Sequence, residues 1–253
     1  MRIDFFYVNN LKRIVSGVFC LLSFIGIVSF KPTPKTQVQI QFNNYVGNSV
    51  LQLDSTYKNE LGQAFTVSNF KYYISNVCLK NVDGKNYVIR DYFLINELEE
   101  ESKKITLNNI PEGNYTSIEF MLGVDSLHNC SGLQSGALDP VNGMFWAWNT
   151  GYVFLKLDGQ SSASKSVGHI FEYHIGGYKQ PANSMRKITL NLKNNKLVSA
   201  SNPLLSLSIK ADVLEVLKTP TVIDFSKLPS VTDTRNASII ANNYADMFSV
   251  LEK

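Results

Sequence analysis

Over most of this chain apolar and polar residues alternate one by one, and that period of two restricts the fold more than any other feature. In "TQVQIQF", Val38, Ile40 and Phe42 fall on one face of an extended chain and the glutamines on the other. "RKITLNL" repeats the pattern with Ile188, Leu190 and Leu192, and "LLSLSIKADV" with Leu205, Leu207, Ile209, Ala211 and Val213. "FKYYISNVCL" and "NYVIRDYFLI" are rich in β-branched and aromatic residues, and "NVDGKN" between them carries an Asp83-Gly84 hairpin signal. "IPEGNYTSIEFML" reads as a turn followed by a strand. Only the C-terminal end changes period. There Ile240, Tyr244 and Phe248 recur every four residues with Met247 beside them, and Asn236 is placed to cap a helix. About eight to ten strands, no βαβ rhythm and one late helix predict an all-β chain. The expected architecture is an antiparallel Greek-key-like β-sandwich with a C-terminal α-helix laid against it.

The N-terminus stands outside this pattern. Arg2, Lys12 and Arg13 precede the uncharged apolar run "IVSGVFCLLSFIGIVSF", and "KPTPKTQ" breaks it. A basic head, an apolar middle and a polar exit are the marks of export. The run, about 17 residues, is at the short end of what spans a bilayer. Residues 1–30 are therefore read as a signal peptide or N-terminal anchor, and 31–253 as one domain, with membrane contact only through the N-terminal segment if it stays uncleaved. The expected location is the periplasm or cell surface.

Charge narrows the partners. The whole chain carries +3 at pH 7, and the basic N-terminal segment holds most of that excess. No basic stripe is present, which argues against nucleic acid as a partner. The run "ELEEESKK" is read as a solvated loop. No G-x-S-x-G elbow, P-loop or HExxH motif occurs, and three histidines, His128, His169 and His174, are the whole supply of imidazole. These absences argue against the common hydrolases and nucleotide enzymes, and the chain is read as non-enzymatic.

Beyond the N-terminal segment two cysteines remain, Cys78 and Cys130. Export permits a disulfide between them, and the expectation is that they lie close enough to bridge. His169 and His174 sit in "VGHIFEYHIGG"; their odd separation puts them on opposite faces of a regular strand. Both tryptophans, Trp146 and Trp148, fall in "GALDPVNGMFWAWNTGYVFLKLDG". In a strand they share a face with Met144, and Gly143 and Gly151 bracket them. Ordinary aromatic packing and a chemical site both fit that arrangement.

Four stretches, "FKYYISNV", "GVDSLHNCSG", "GALDPVNGMFWAWNTGYVFLKLDG" and "FEYHIGG", resemble in order the MbnP-like family, and the ending "ANNYADMFSV" resembles its Bacteroidetes-type branch. The resemblance implies a β-sandwich of the cell envelope that binds copper. In copper-binding members a tryptophan of a W-x-W or related motif is oxidised to kynurenine, with a dihaem peroxidase-like protein as the modifying partner. The amine so formed binds copper beside imidazole, a donor set that suits Cu(I). Position by position, Trp146 matches the modified tryptophan, His174 a metal ligand, and His128 a candidate second imidazole. Trp148 and Met144 would wall the site. Trp148 is a departure: a copper member carries a histidine ligand two residues beyond the modified tryptophan, and an indole N–H cannot replace it. With one imidazole, Asp125, Asp139 or water would have to complete the set. The competing reading is a metal-free β-sandwich that binds an envelope partner protein or a glycan.

Overall fold

The computed structural model describes residues 36–146 and 151–251. Residues 1–35, with the export segment and Cys20, and residues 147–150, with Trp148, lie outside the described residues. Among the described residues there are thirteen strands, ten of them four residues or longer. No helix among them is long and apolar enough to cross a membrane.

One sheet is built on β1 (Gln37–Val46), flanked by β11 (Leu204–Asp212) and β6 (Lys104–Asn108), with β2 (Ser49–Val50) on β1 and β13 (Phe248–Leu251) on β11. The other is built on β4 (Ala64–Asn81). Its strand β5 (Asn86–Asn96) lies along one edge of β4, since Tyr72 pairs with both Ile95 and Leu155 and Ile74 with both Phe93 and Leu122. Along the other edge β8 (Val153–Gln160) is followed by β7 (Gly113–Leu122). β9 (Ile170–Gly176) extends the sheet beyond β8, β12 (Ser230–Val231) lies beyond β9, and β10 (Arg186–Val198) lies beyond β7. β3 (Thr56–Lys58) pairs with the start of β4.

The alternation in the sequence becomes the core. Val38, Ile40 and Phe42 are buried, and Phe42 meets Tyr72, Phe120 and Phe248 edge to face with centroids 5.9–6.2 Å apart. Those rings come from both sheets, so the two inner faces close on each other there. The Asp83-Gly84 signal forms the β4–β5 turn, with Gly84 at φ 81° and its N–H donated to Asn81 O.

Three features differ from expectation. Pairing is not wholly antiparallel: β1 runs parallel to β11, and β9 to β12. The C-terminal helix is short, Ala237–Tyr244, and Phe248 belongs to the strand β13 rather than to a helical stripe. Ile240, Tyr244, Met247 and Phe248 are nevertheless all buried, so the apolar spacing served a helix–turn–strand. Third, the expected disulfide is not formed; Cys78 and Cys130 are free thiols. Cys78 is level with Glu119, whereas β7 runs on past Ile74 at Leu122 before the chain reaches Cys130. Four residues of strand separate those levels, roughly 13 Å, against a bridging limit of about 7 Å. Burial and the nearby Glu119 push the Cys78 thiol up, against Lys80 and Lys187. In the 31–253 polypeptide Cys130, being exposed, should label in the native state and Cys78 only on unfolding. A denatured, unreduced sample that takes up no label would restore the bridge.

Candidate functional site

After β7 the chain leaves the sheet and crosses its outer face before returning as β8. The connection, residues 123–152, is tied down by side chains. Ser75 Oγ donates to Gly123 O, Tyr73 Oη to Ala137 O and Lys71 Nζ to Asn142 O. Its first turn is the helix α1 (Ser126–Asn129), capped by Asp125. It ends in a hairpin in which Trp146 N–H donates to Gly151 O and Val153 N–H to Met144 O, with Phe145 opposite Tyr152. Trp148 lies outside the described residues.

Trp146 is 6 % exposed and Met144 fully buried. The benzo edge of the indole lies over the backbone of Gly176: a Cβ there would come within 2.8 Å of Trp146 Cζ3 and 3.0 Å of Cη2. Glycine is needed because a ring and a strand backbone approach so closely. Two residues before Gly176 on β9, and on the same face by strand parity, stands His174, about 6.6–6.8 Å away along the strand. Its Nε2 pairs with Asp158 Oδ1 at 2.7 Å, and Asn69 Nδ2 donates to Asp158 Oδ2 at 3.1 Å. The structure therefore brings Trp146 and His174 to neighbouring positions. Asp158 was not singled out in the sequence. Parity shows only that it faces outward with Lys156; in the β8–β9 register Lys156 stands opposite His174 and Asp158 opposite Glu172, so Asp158 reaches the ring on the diagonal.

His128 is placed elsewhere. Its Nδ1 lies 2.7 Å from Tyr92 Oη and 3.1 Å from Asp125 Oδ1, and its ring rests on Tyr92 with centroids 4.5 Å apart. Tyr92 is on β5 and His174 on β9, with β4 and β8 between them. Three strand spacings amount to roughly 14 Å, too far for the two imidazoles to share one ion. Asp125 receives the Tyr92 hydroxyl and the His128 backbone N–H, and Asp139 receives the Val141 N–H. Neither candidate oxygen donor stands beside His174. His169 is not in the strand at all: it closes a 3-10 turn at φ 55° and its Nδ1 meets Ser164 O at 2.9 Å, so the expectation of opposite strand faces does not apply. Cys130 Sγ lies 3.1 Å from Tyr178 Oη. Tyr178, Tyr152, Asn129 and Trp146 line one cleft of about 280 Å³ beside the hairpin.

Burial pushes the Asp125 carboxyl up, but hydrogen bonds from Tyr92 and from the backbone and ring of His128 outweigh it and hold it below the ordinary carboxylate range. A lowered folded pKa adds stability above the unfolded value near 3.9, and that stability is lost as pH falls through the folded pKa. Asp125→Asn keeps a good helix cap and removes the charge. Its urea midpoint should fall below that of the parent at neutral pH, with the gap narrowing below about pH 4. A gap that does not change with pH would show that the charge is not what matters.

Fold and face define a class: two-sheet β-sandwiches with a buried indole and a carboxylate-held histidine next to each other on an outer sheet face. The chain belongs to the MbnP family, whose model matches residues 35–234. MbnP from Methylosinus trichosporium is similar in structure, with a TM-score of 0.53 and 16 % identity over 76 % of this chain and 80 % of that one. At that identity the likeness concerns the fold. No curated protein matches the sequence.

Proposed function

We propose that this chain is an exported, non-enzymatic copper-binding protein that holds copper in the periplasm or at the cell surface. The observation that carries the reading is the seat of Trp146 on Gly176, next along the face from His174. Asp158 holds Nε2 of that ring and leaves Nδ1 as the donor. A metal-binding imidazole is commonly oriented by a carboxylate in this way.

The encoded donors alone do not make a copper site. Among the described residues no group of three or more His, Cys, Asp or Glu side chains converges. One imidazole and one carboxylate are a poor match for Cu(I), which favours softer and nitrogen donors. Oxidation of Trp146 by a dihaem peroxidase-like partner supplies what is missing. Two oxygen atoms, from one dioxygen or from two hydrogen peroxides with release of two waters, add to C2 and C3 of the indole and the bond between them breaks. Water then removes the formyl carbon as formate, leaving a ketone and a free aromatic amine. That amine beside His174 is the proposed copper-binding pair.

Peptide mass spectrometry of protein from its native host tests the modification, since the Trp146 peptide gains the mass of one oxygen and loses that of one carbon. Copper titration tests the site. Processed parent should bind copper, His174→Ala should lose most of the affinity, and Asp158→Asn should lose about 10–100-fold. His128→Ala should bind as the parent does. If His174→Ala also binds as the parent does, the site is wrong. If processed parent binds no copper, the metal-free binding reading replaces this one.

A further inference from the structure

Strand β4 breaks its own alternation beside the row that holds His174. Val67 and Phe70 are both fully buried, so the two residues between them, Ser68 and Asn69, face outward together. The pairing with β8 shifts at the same place: Val67 lies opposite Gly159 and Asn69 opposite Asp158, with Ser68 as the extra residue. This is a β-bulge, a device that re-aims a side chain and is frequent beside functional sites. In a regular strand Asn69 would share the inner face with Val67. Gly159 serves the same local geometry. A Cβ there would collide with the carbonyl of Thr66 and with the Phe171 ring, so the glycine lets β8 lie close against the bulged strand.

The re-aimed amide is used at one end. Its Nδ2 donates to Asp158 Oδ2 at 3.1 Å, while its Oδ1 is buried and meets no protein donor among the described residues. A carboxylate only accepts, so the NH2 end is the one that has to face it. An unmatched buried carbonyl is unfavourable, so stability alone is a poor reason for an amide at this position. Asp158, for its part, has other directions to turn. On the β9 side it stands opposite Glu172, a like charge, and Lys156 is its neighbour two residues back on the same face. With Oδ2 pinned from β4, Oδ1 is left aimed at His174 Nε2, 2.7 Å away.

We propose that Asn69 is a positioning residue for His174. Carried outward by the bulge, it fixes Asp158, and Asp158 fixes the ring with Nδ1 free. Its purpose rests on the reading of His174 as a copper ligand, but the chain of hydrogen bonds can be tested without metal.

Asn69→Ala removes the donor and the unmatched acceptor together. In mildly alkaline buffer the unprocessed, metal-free parent should show a slowly exchanging Nε2–H proton of His174 by NMR, identified by its absence from His174→Ala. Asn69→Ala should lose that signal to exchange with solvent, while its melting temperature moves little. Asn69→Asp, which keeps the shape and turns the donor into an acceptor, should lose it as well. A merely structural role predicts the reverse, a lower melting temperature with the signal intact. In processed protein Asn69→Ala should weaken copper binding about threefold to tenfold, less than Asp158→Asn does. In an Asp158→Asn background it should change nothing further, because the two residues act in one chain. The proposal is overturned if the parent shows no such proton, if the proton survives both substitutions at Asn69, or if Asn69→Ala and Asp158→Asn weaken copper binding independently. If processed parent binds no copper, the copper reading falls, and the proton signal alone decides whether Asn69 positions the ring.

Discussion

A chain truncated before Asn236 is expected to be unfolded at room temperature, not merely less stable. The missing segment contributes Ile240, Met247 and Phe248 to the core, with Tyr244 fully buried and its hydroxyl donated to Ser184 O. Burying the first three is worth roughly 5–9 kcal/mol at about 1.5–3 kcal/mol each, an upper estimate. Total stability for a domain is about 5–15 kcal/mol. Truncation also strips β13 from β11 and removes Phe248 from the ring cluster around Phe42 and Phe120. Circular dichroism and heat denaturation decide it; a cooperative transition near that of the parent would mean that the terminal segment is not part of the core.

Gly176→Ala is expected to have the second largest effect and to act on the site directly. The added methyl would meet both the carbonyl of Tyr152, which is backbone, and the Trp146 ring at 2.8 Å. Neither can swing away as a flexible side-chain tip would, so the hairpin must move. Overpacking of this kind costs typically about 1–3 kcal/mol, or roughly 2–4 °C of melting temperature per kcal/mol at this size. Copper binding by processed protein should fall with it, because the modified side chain no longer sits beside His174. An unchanged melting temperature would mean that the ring is not seated on this backbone.

Much of the sandwich was legible because burial on one face enforces a period of two. Val38, Ile40, Phe42, Ile188, Leu190, Leu192, Leu205, Leu207 and Ile209 are all buried as their spacing indicated. Val213 is buried too, but it opens a helical turn capped by Asp212 rather than continuing the strand. Strand order is different in kind. Nothing local says that β1 lies parallel to β11, more than 150 residues away, since that contact satisfies backbone groups that every residue possesses. The same limit applies at the site. Trp146 and His174 stood out as rare residue types, but their adjacency depends on a hairpin lying over β9, and Asp158 was hidden by a register no periodicity encodes. His128 had the right chemistry and is held by Tyr92, a residue with no visible claim on it in the sequence.

The way the 123–152 connection is fastened has a consequence for access. Beyond its own hairpin it rests on the sheet through one backbone bond, from Gly123 N–H to Tyr73 O, through side-chain bonds such as those from Tyr73, Ser75 and Lys71, and through the buried Val124 and Leu138, rather than through a strand ladder. Segments outside the strand ladders can open locally at a free energy below that of global unfolding. A nearly buried indole can then be presented to a large catalyst in an excursion that leaves both sheets closed. Under the proposed function, the rate of its oxidation would be set by how often that layer lifts. A covalent clamp between the connection and β4 would leave the sandwich intact and make Trp146 resistant to the proposed modifying partner.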